Sequence, residues 1–289
     1  MTPPRVACIG EAMIELALDD NVAQVGVAGD TLNTAVYLHR AAPSLTVDFI
    51  TCLGDETFSE RIQSFISDQG IGTKGIMRIP GAVPGLYAIT TNADGERSFT
   101  YWRTTSAARQ MFNDHDFSVL AEYDALYLSG ISLAILPRDV RLALIDWLQR
   151  QSVRVIFDSN YRPRLWENAS AARVAVAALW DRADIALPSL DDEMALFDED
   201  VGAVLARFAR YGTTGALKRA ALGPFSLGTP VNQDYPAAAN VIDTTAAGDS
   251  FNGGYLGAVL TGSTQAGALM AGHILAARVV GYRGAILPT

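Results

Sequence analysis

Val241-Ile242-Asp243-Thr244-Thr245-Ala246-Ala247-Gly248-Asp249-Ser250-Phe251-Asn252-Gly253-Gly254 is a polar loop of small residues that runs into an uncharged, Gly- and Ala-rich segment. Ala246, Ala247 and Gly248 have side chains too small to cover the backbone. At a helix start they leave several N–H groups pointing out of the positive end of the dipole, an anion site made of backbone. Asp249 then stands beside an anion hole. It either caps the helix or serves as a general base, taking the proton of a substrate hydroxyl while the hole stabilises charge on a transferring phosphoryl group.

Downstream, no Asp, Glu, Lys or Arg occurs from Ser250 to Ala277. Thr261-Gly262-Ser263-Thr264 breaks this stretch, and Asn252, Gln265 and His273 interrupt it, so it reads as two buried helices and not a membrane span. The opening MTPPRVACIG has no long apolar core and no Ala-x-Ala site, so no signal peptide is expected and the chain reads as soluble and cytoplasmic.

Upstream, β-rich runs alternate with amphipathic ones. Arg5–Gly10, Thr46–Cys52, Asp124–Leu128, Val153–Phe157, Asp184–Leu187 and Gly215–Lys218 read as strands. Thr31–Ala42, Phe58–Gln69, Arg138–Gln149, Ala169–Trp180, Asp191–Phe197 and Gly202–Tyr211 read as helices. Apolar strands without polar alternation, each followed by a helical period, predict an α/β fold with a mostly parallel sheet covered on both faces. Met13–Leu18 with Val22–Val27, joined by Asp19-Asp20-Asn21, and Pro84–Thr91 with Arg97–Arg103, joined by residues 92–96, read as hairpins. Together they predict a small antiparallel sheet acting as a lid over the C-terminal strand edge.

Composition narrows the functions. With 22 Lys and Arg against 31 Asp and Glu, the chain of 289 residues carries a formal charge of −9, which disfavours nucleic acid as a partner. Lysine occurs only at Lys74 and Lys218, so the basic residues are nearly all Arg. Cys8 and Cys52 sit in apolar runs and read as buried strand residues. Gly70-Ile71-Gly72-Thr73-Lys74-Gly75 matches G-x-G-x-x-G, but it follows a helix and precedes a strand, the reverse of a dinucleotide loop. It reads as a helix terminus and turn. No P-loop is present, and His39, His115 and His273 stand alone with no metal-ligand spacing.

Asp243 to Asp249 strongly resembles the Asp-Thr-x-Gly-Ala-Gly-Asp signature of the ribokinase-like (PfkB) carbohydrate kinases, with Ala246 in the place of the first glycine. Ala28-Gly29-Asp30-Thr31-Leu32-Asn33 is similar to that family's N-terminal glycine-pair motif, with Ala28 for the first glycine. Further stretches resemble family members that act on 2-keto sugar acids: Gly10–Leu16, Gly85–Tyr87, Gly95–Arg103, Leu128–Ala134, Phe157–Trp166 and Tyr282–Ile286. The resemblance implies a three-layer α/β/α domain over residues 1–289, with lid segments at about 13–28 and 84–103. It also implies ATP-dependent phosphorylation of the C6 hydroxyl of 2-dehydro-3-deoxygluconate.

By that resemblance Asp249 is the base and Ala246, Ala247 and Gly248 form the anion hole. Gly29, Asp30 and Asn33 meet the sugar; Gly29 admits it close to the backbone. Arg103 and Arg162 fork onto the carboxylate, and Tyr87 and Tyr101 supply hydroxyls from the lid. Alternation places Tyr101 and Arg103 on one strand face and Trp102, read as packing, on the other. Asn160, Lys218, Arg219, Gly223 and Gly248 fall to the nucleotide. Leu217–Gly223 resembles a family Gly-x-x-Gly turn, with Ala220 for the first glycine. Glu193 survives from a magnesium-associated Asn-x-x-Glu motif in which Leu190 replaces Asn. Mg2+ is expected to enter with ATP and keep most of its waters. The sparse positive charge should converge on this cleft, and an exposed lid edge points to a homo-oligomer, a dimer or higher. Two alternatives stay open: a kinase of a neutral ketose or nucleoside, separated by a substrate panel, and a non-catalytic sugar-acid sensor, which would bind the acid without releasing ADP.

Overall fold

The computed structural model describes residues 4–19, 22–91 and 97–288. The hairpin loop expected at 92–96, most of the turn at 19–21, and Gly95 and Glu96 lie outside the described residues. In chain order the elements are β1 (Arg5–Ile9), β2 (Met13–Asp19), β3 (Val22–Ala28), α1 (Asp30–Ala41), β4 (Thr46–Leu53), α2 (Thr57–Asp68), β5 (Ile76–Arg78), β6 (Gly85–Thr91) and β7 (Arg97–Trp102). Then come β8 (Ala125–Ser129), α3 (Gly130–Ile135), α4 (Arg138–Arg150), β9 (Arg154–Asp158), α5 (Ala169–Arg182), β10 (Ile185–Ala186), α6 (Leu190–Phe197) and α7 (Val201–Tyr211). The chain ends with β11 (Thr214–Leu217), β12 (Phe225–Leu227), α8 (Ala247–Leu260) and α9 (Gln265–Val279).

The main sheet has the order β12-β11-β10-β9-β8-β1-β4-β5. Every pairing in it is parallel except β11 with β12. The apolar runs explain why. In β1, Val6 and Cys8 join a core formed with α1, α2, α8 and α9, while Ala7 and Ile9 join one formed with α3, α4, α5, α6 and α7. With both faces covered, period-2 geometry demands apolar residues at every position. Burial pushes both thiols up, to about 12 for Cys52, so they behave as core residues.

The second sheet has the order β3-β2-β6-β7, two antiparallel hairpins joined by a parallel β2–β6 pair. One face contributes Ile14, Val27 and Leu86 to the large core, and the other packs Met13, Ala28, Tyr87 and Ile89 against Ala285 and Ala246. The second sheet thus sits beside the start of α8.

The uncharged stretch forms α8 and α9, the helix pair expected. Their glycines serve contact: a Cβ on Gly253 would stand 2.4 Å from Tyr37 Cβ, and one on Gly257 would stand 2.7 Å from Ala41 Cβ. The stripe presses α8 onto α1. Among the described residues no helix is long and apolar enough to cross a membrane. The Gly70–Gly75 run follows α2 as a turn, with Gly70 at φ 76°. His115 pairs with Asp139 at 3.3 Å and His273 with the Pro236 carbonyl at 2.6 Å.

Candidate active site

Parallel strands that end at one edge bring their last residues together. Ser129 closes β8 and pairs in register with Asp158, which closes β9. Lys218 follows β11, and its backbone is fixed by N–H to Pro188 O (2.8 Å) and by O to Leu190 N–H (2.9 Å). α1 and α8 begin over this edge.

Asp249 lies in the first turn of α8. Ala246, the residue before the helix, is left-handed at φ 59°. Asp243 braces the loop: its Oδ1 accepts from Thr245 N (3.0 Å) and Oγ1 (2.7 Å), and its Oδ2 from Gly284 N (2.8 Å). The Gly248 and Asp249 N–H groups stand in the first turn, where no carbonyl one turn earlier in the helix exists to receive them. Lys218 Nζ is close by, 3.7 Å from where a Gly248 Cβ would stand.

On α1, Asp30, Asn33, Thr34 and Tyr37 recur at helical spacing and form one stripe. Asn33 Nδ2 donates to Asp249 Oδ2 at 2.8 Å, and Thr34 Oγ1 lies 3.3 Å from the Asp249 carbonyl. Asp30 Oδ2 accepts from Ser129 Oγ and from Asn160 Nδ2 (2.8 Å). Asn160, at φ 29°, also donates its backbone N–H to Asp158 Oδ1 at 3.1 Å. Asp158 Oδ2 receives Lys218 Nζ (2.7 Å) and Asn252 Nδ2 (2.6 Å). Burial first, and the Asp30 carboxylate second, push the Asp249 carboxyl up to about 8, against the Asn33 hydrogen bond and Lys218. A carboxyl poised near neutrality beside open N–H donors and an ammonium can exchange a proton with a hydroxyl while a transferring anion is held.

The other expected cations are already paired. Arg103, 9% exposed, gives its Nη2 to Glu11, 1% exposed, in a close ion pair, and its guanidinium lies 5.9 Å over the Tyr101 ring. Arg162 is 3.6 Å from Asp192 and donates to the Tyr161 carbonyl at 2.9 Å. Arg219, expected at the nucleotide, has its guanidinium bound to the carbonyls of Gly223 (3.0 Å) and Leu222 (3.3 Å) and stacked over Phe225, bracing its own turn. That turn holds Ala220 at φ 47° and Gly223 at φ 72°. Arg103 and Arg162 are thus each matched to a carboxylate, and Arg219 to the carbonyls of its own turn.

Glu193 corrects the metal expectation. Its carboxylate is wholly buried, 2.9 Å from Arg207 and 3.2 Å from Trp180 Nε1, and burial pushes it up to about 7. A side chain so enclosed does not reach a metal through water. Gly29 has a further reason to be glycine: a Cβ there would meet Glu11 O at 2.1 Å, so the β1–β2 bend forbids it. Tyr87 is buried, gives its hydroxyl to Glu15, and stacks on Tyr101 at 5.5 Å. Trp102 was expected to pack, yet it is 57% exposed.

Glu11, Tyr127, Ser129, Asp158 and Asn252 were not singled out from sequence. Their common signal is a polar residue at the end of, or inside, an otherwise apolar run.

A model of the pfkB carbohydrate kinase family matches residues 3–289. The 2-dehydro-3-deoxygluconokinase of Dickeya dadantii (strain 3937) is 41% identical, over 100% of this chain and 98% of that protein. The 2-dehydro-3-deoxygluconokinase of Escherichia coli (strain K12) is 40% identical, over 98% and 97%. Among solved structures, the PfkB protein from Polaromonas sp. JS666 superposes with a TM-score of 0.83 at 26% identity, covering 96% of this chain and 95% of that one.

Proposed function

Because the chain belongs to the pfkB family of carbohydrate kinases, we propose that it transfers the γ-phosphoryl group of ATP to the C6 hydroxyl of 2-dehydro-3-deoxygluconate, giving the 6-phosphate. The observation that carries the substrate is full-length likeness, at 41% identity, to a protein of that activity. The geometry supplies the chemistry. Asp249, oriented by Asn33, takes the hydroxyl proton as the oxygen attacks the γ-phosphorus. The Gly248 and Asp249 N–H groups and Lys218 face the charge on the transferring group, the largest electrostatic term in such reactions. Asp30 and Asn33 meet sugar hydroxyls. Arg103 and Arg162 meet the carboxylate, each keeping its carboxylate partner, so that the fork gives direction more than net charge. Tyr87 and Tyr101 close the cleft from the second sheet, which acts as a lid.

Mg2+ is proposed to come in on the phosphates of ATP and not on a cluster of protein ligands. The carboxylates at the edge are engaged by donors, and among the described residues no three of His, Cys, Asp or Glu are grouped to hold a metal. Bound to ATP, Mg2+ would neutralise phosphate charge and keep most of its waters. The same reading sets the enzyme in the cytoplasm. A homo-oligomer is favoured by the exposed aromatics of edge strand β7, Phe99 and Tyr101 on one face (40% and 51% exposed) and Trp102 on the other (57%).

ADP release with a substrate panel tests the function. 2-Dehydro-3-deoxygluconate should exceed fructose and ribose by about 10²-fold or more in kcat/KM, because a site built for a charged group rejects analogues lacking it. A preference for fructose, or acid binding without ADP release, overturns the reading. Arg103→Ala should cost the acid about ten-fold more than fructose, the scale of one charge-assisted contact. Equal losses would show that Arg103 does not read the carboxylate.

A further inference from the structure

Asp158 is 2% exposed and both of its oxygens are engaged. Oδ2 holds Lys218 Nζ at 2.7 Å, and Asn252 Oδ1 holds the same ammonium at 3.2 Å. An ammonium has three N–H donors. With two so directed, the third is left for an anion held at the first turn of α8, since Nζ lies 3.7 Å from where a Gly248 Cβ would stand. A lysine stem is flexible and its head a strongly hydrated point charge, so without such anchors it would sample many positions.

The anchoring reaches further. Asn252 Nδ2 spends one proton on Asp158 (2.6 Å) and the other on Tyr127 OH (3.0 Å). Tyr127 OH lies 3.2 Å from Thr34 Oγ1, and Thr34 Oγ1 lies 3.3 Å from the carbonyl of Asp249. One buried chain of contacts joins β9, β11, α8, β8 and α1 from the ammonium to the candidate base. A buried ion pair is a poor source of stability and is often replaceable by apolar residues. This one stands at the C-terminal edge of the sheet, where ligands enter.

We propose that Asp158 is a positioning residue: it fixes Lys218 against the start of α8 for phosphoryl transfer and, through Asn252, Tyr127 and Thr34, sets cation and base as one unit. The proposal rests on the kinase reaction above. It has an electrostatic corollary. The charged and titratable groups around Asp249 are Asp30 and Tyr37 from α1, Tyr127 from β8, Asp158 from β9 and Lys218 after β11. Asp158 is a like charge that helps hold the Asp249 proton on, so removing it moves the acid limb of kcat/KM to lower pH.

The test is a double-mutant cycle of Asp158→Asn and Lys218→Met. Asp158→Asn should lower kcat/KM for ATP by about 10²-fold, the scale of a misplaced catalytic group, and leave KM for the acid within about two-fold. Its acid limb should move to lower pH. The double variant should be no worse than Lys218→Met alone. Additive losses, or an unmoved limb with wild-type KM for ATP, overturn the proposal. If Asp158→Asn does not melt cooperatively, Lys218→Met decides: the same loss toward ATP supports the proposal and wild-type ATP kinetics overturns it. Wild-type ADP release with the acid tests the reaction itself. Were that absent, ADP affinity by calorimetry in the same variants would still read the positioning: weaker and non-additive supports it, unchanged overturns it.

Discussion

At Asp249 the requirements of folding and of chemistry diverge. Its carboxyl rises from the ordinary 3.8 to about 8 through burial and Asp30. Between those values the folded chain binds more protons than the unfolded one, so stability falls as pH rises through the window. Asp249→Asn should therefore melt about 2–4 °C higher than wild type at pH 8, as a gain on the order of 1 kcal/mol does in a chain of this size. At pH 4 the two should melt alike. Turnover should fall by about 10³-fold, within the range of general acid–base catalysis. Scanning calorimetry at both pH values, beside ADP release, checks this; a lower melting point at pH 8 would contradict a strained carboxylate. In the wild type, kcat/KM should climb with pH to a plateau above about 8, since the base works only when ionised. Ala246, at φ 59°, makes a second case. Left-handed backbone costs an L-residue roughly 1–2 kcal/mol, and glycine's freedom in the unfolded chain returns part of any gain. Ala246→Gly should then stabilise by up to about 1 kcal/mol in urea titration. A loss would show that the alanine methyl packs to advantage.

Elements were legible wherever burial leaves a periodic mark. The parallel strands showed as unbroken apolar runs because both faces are covered, and α8 and α9 showed as an uncharged pair because they pack on α1 and each other. What the pattern hid are pairings between distant segments. Nothing local reports that β2 lies parallel to β6, because a strand's side-chain period is the same for either partner. Nor does spacing reveal that Arg103 meets Glu11, 92 positions away, or that Lys218 meets Asp158, 60 positions away. The short helix α3 was missed, since its Ser129–Ser132 capping box is easily read as a strand end. Strand β7 shows what exposure adds. Trp102 is 57% exposed on an edge strand whose outer side has no strand partner within the described residues. Such an edge with exposed aromatics is a template for association. Trp102→Arg should shift the mass in solution from oligomer toward monomer by light scattering. An unchanged mass would place the interface elsewhere or show the wild type to be monomeric.

For the molecule as a whole, a charge of −9 has to coexist with two anionic ligands. The solution is local. Arg103 is matched by Glu11, Arg162 by Asp192 and Lys218 by Asp158, so the cations proposed to meet the ligands are fixed and carry little net positive field. Binding then depends on short contacts and on backbone N–H groups, which are uncharged and keep their direction at any ionic strength. Long-range steering needs an uncompensated field, and salt screens it beyond about 8–10 Å. It follows that raising tetramethylammonium chloride from 0.02 to about 0.3 M should change kcat/KM for the acid by less than about three-fold, well below the losses of electrostatically steered association. Arg103 and Lys218 variants would lower the absolute value without steepening the slope. A wild-type fall of more than about ten-fold would mean that the paired cations act as a field after all. The carboxylates Glu11, Asp158 and Asp192 would then have to leave their partners when ligand arrives, making the ion pairs of this structure an exchangeable cover over the site.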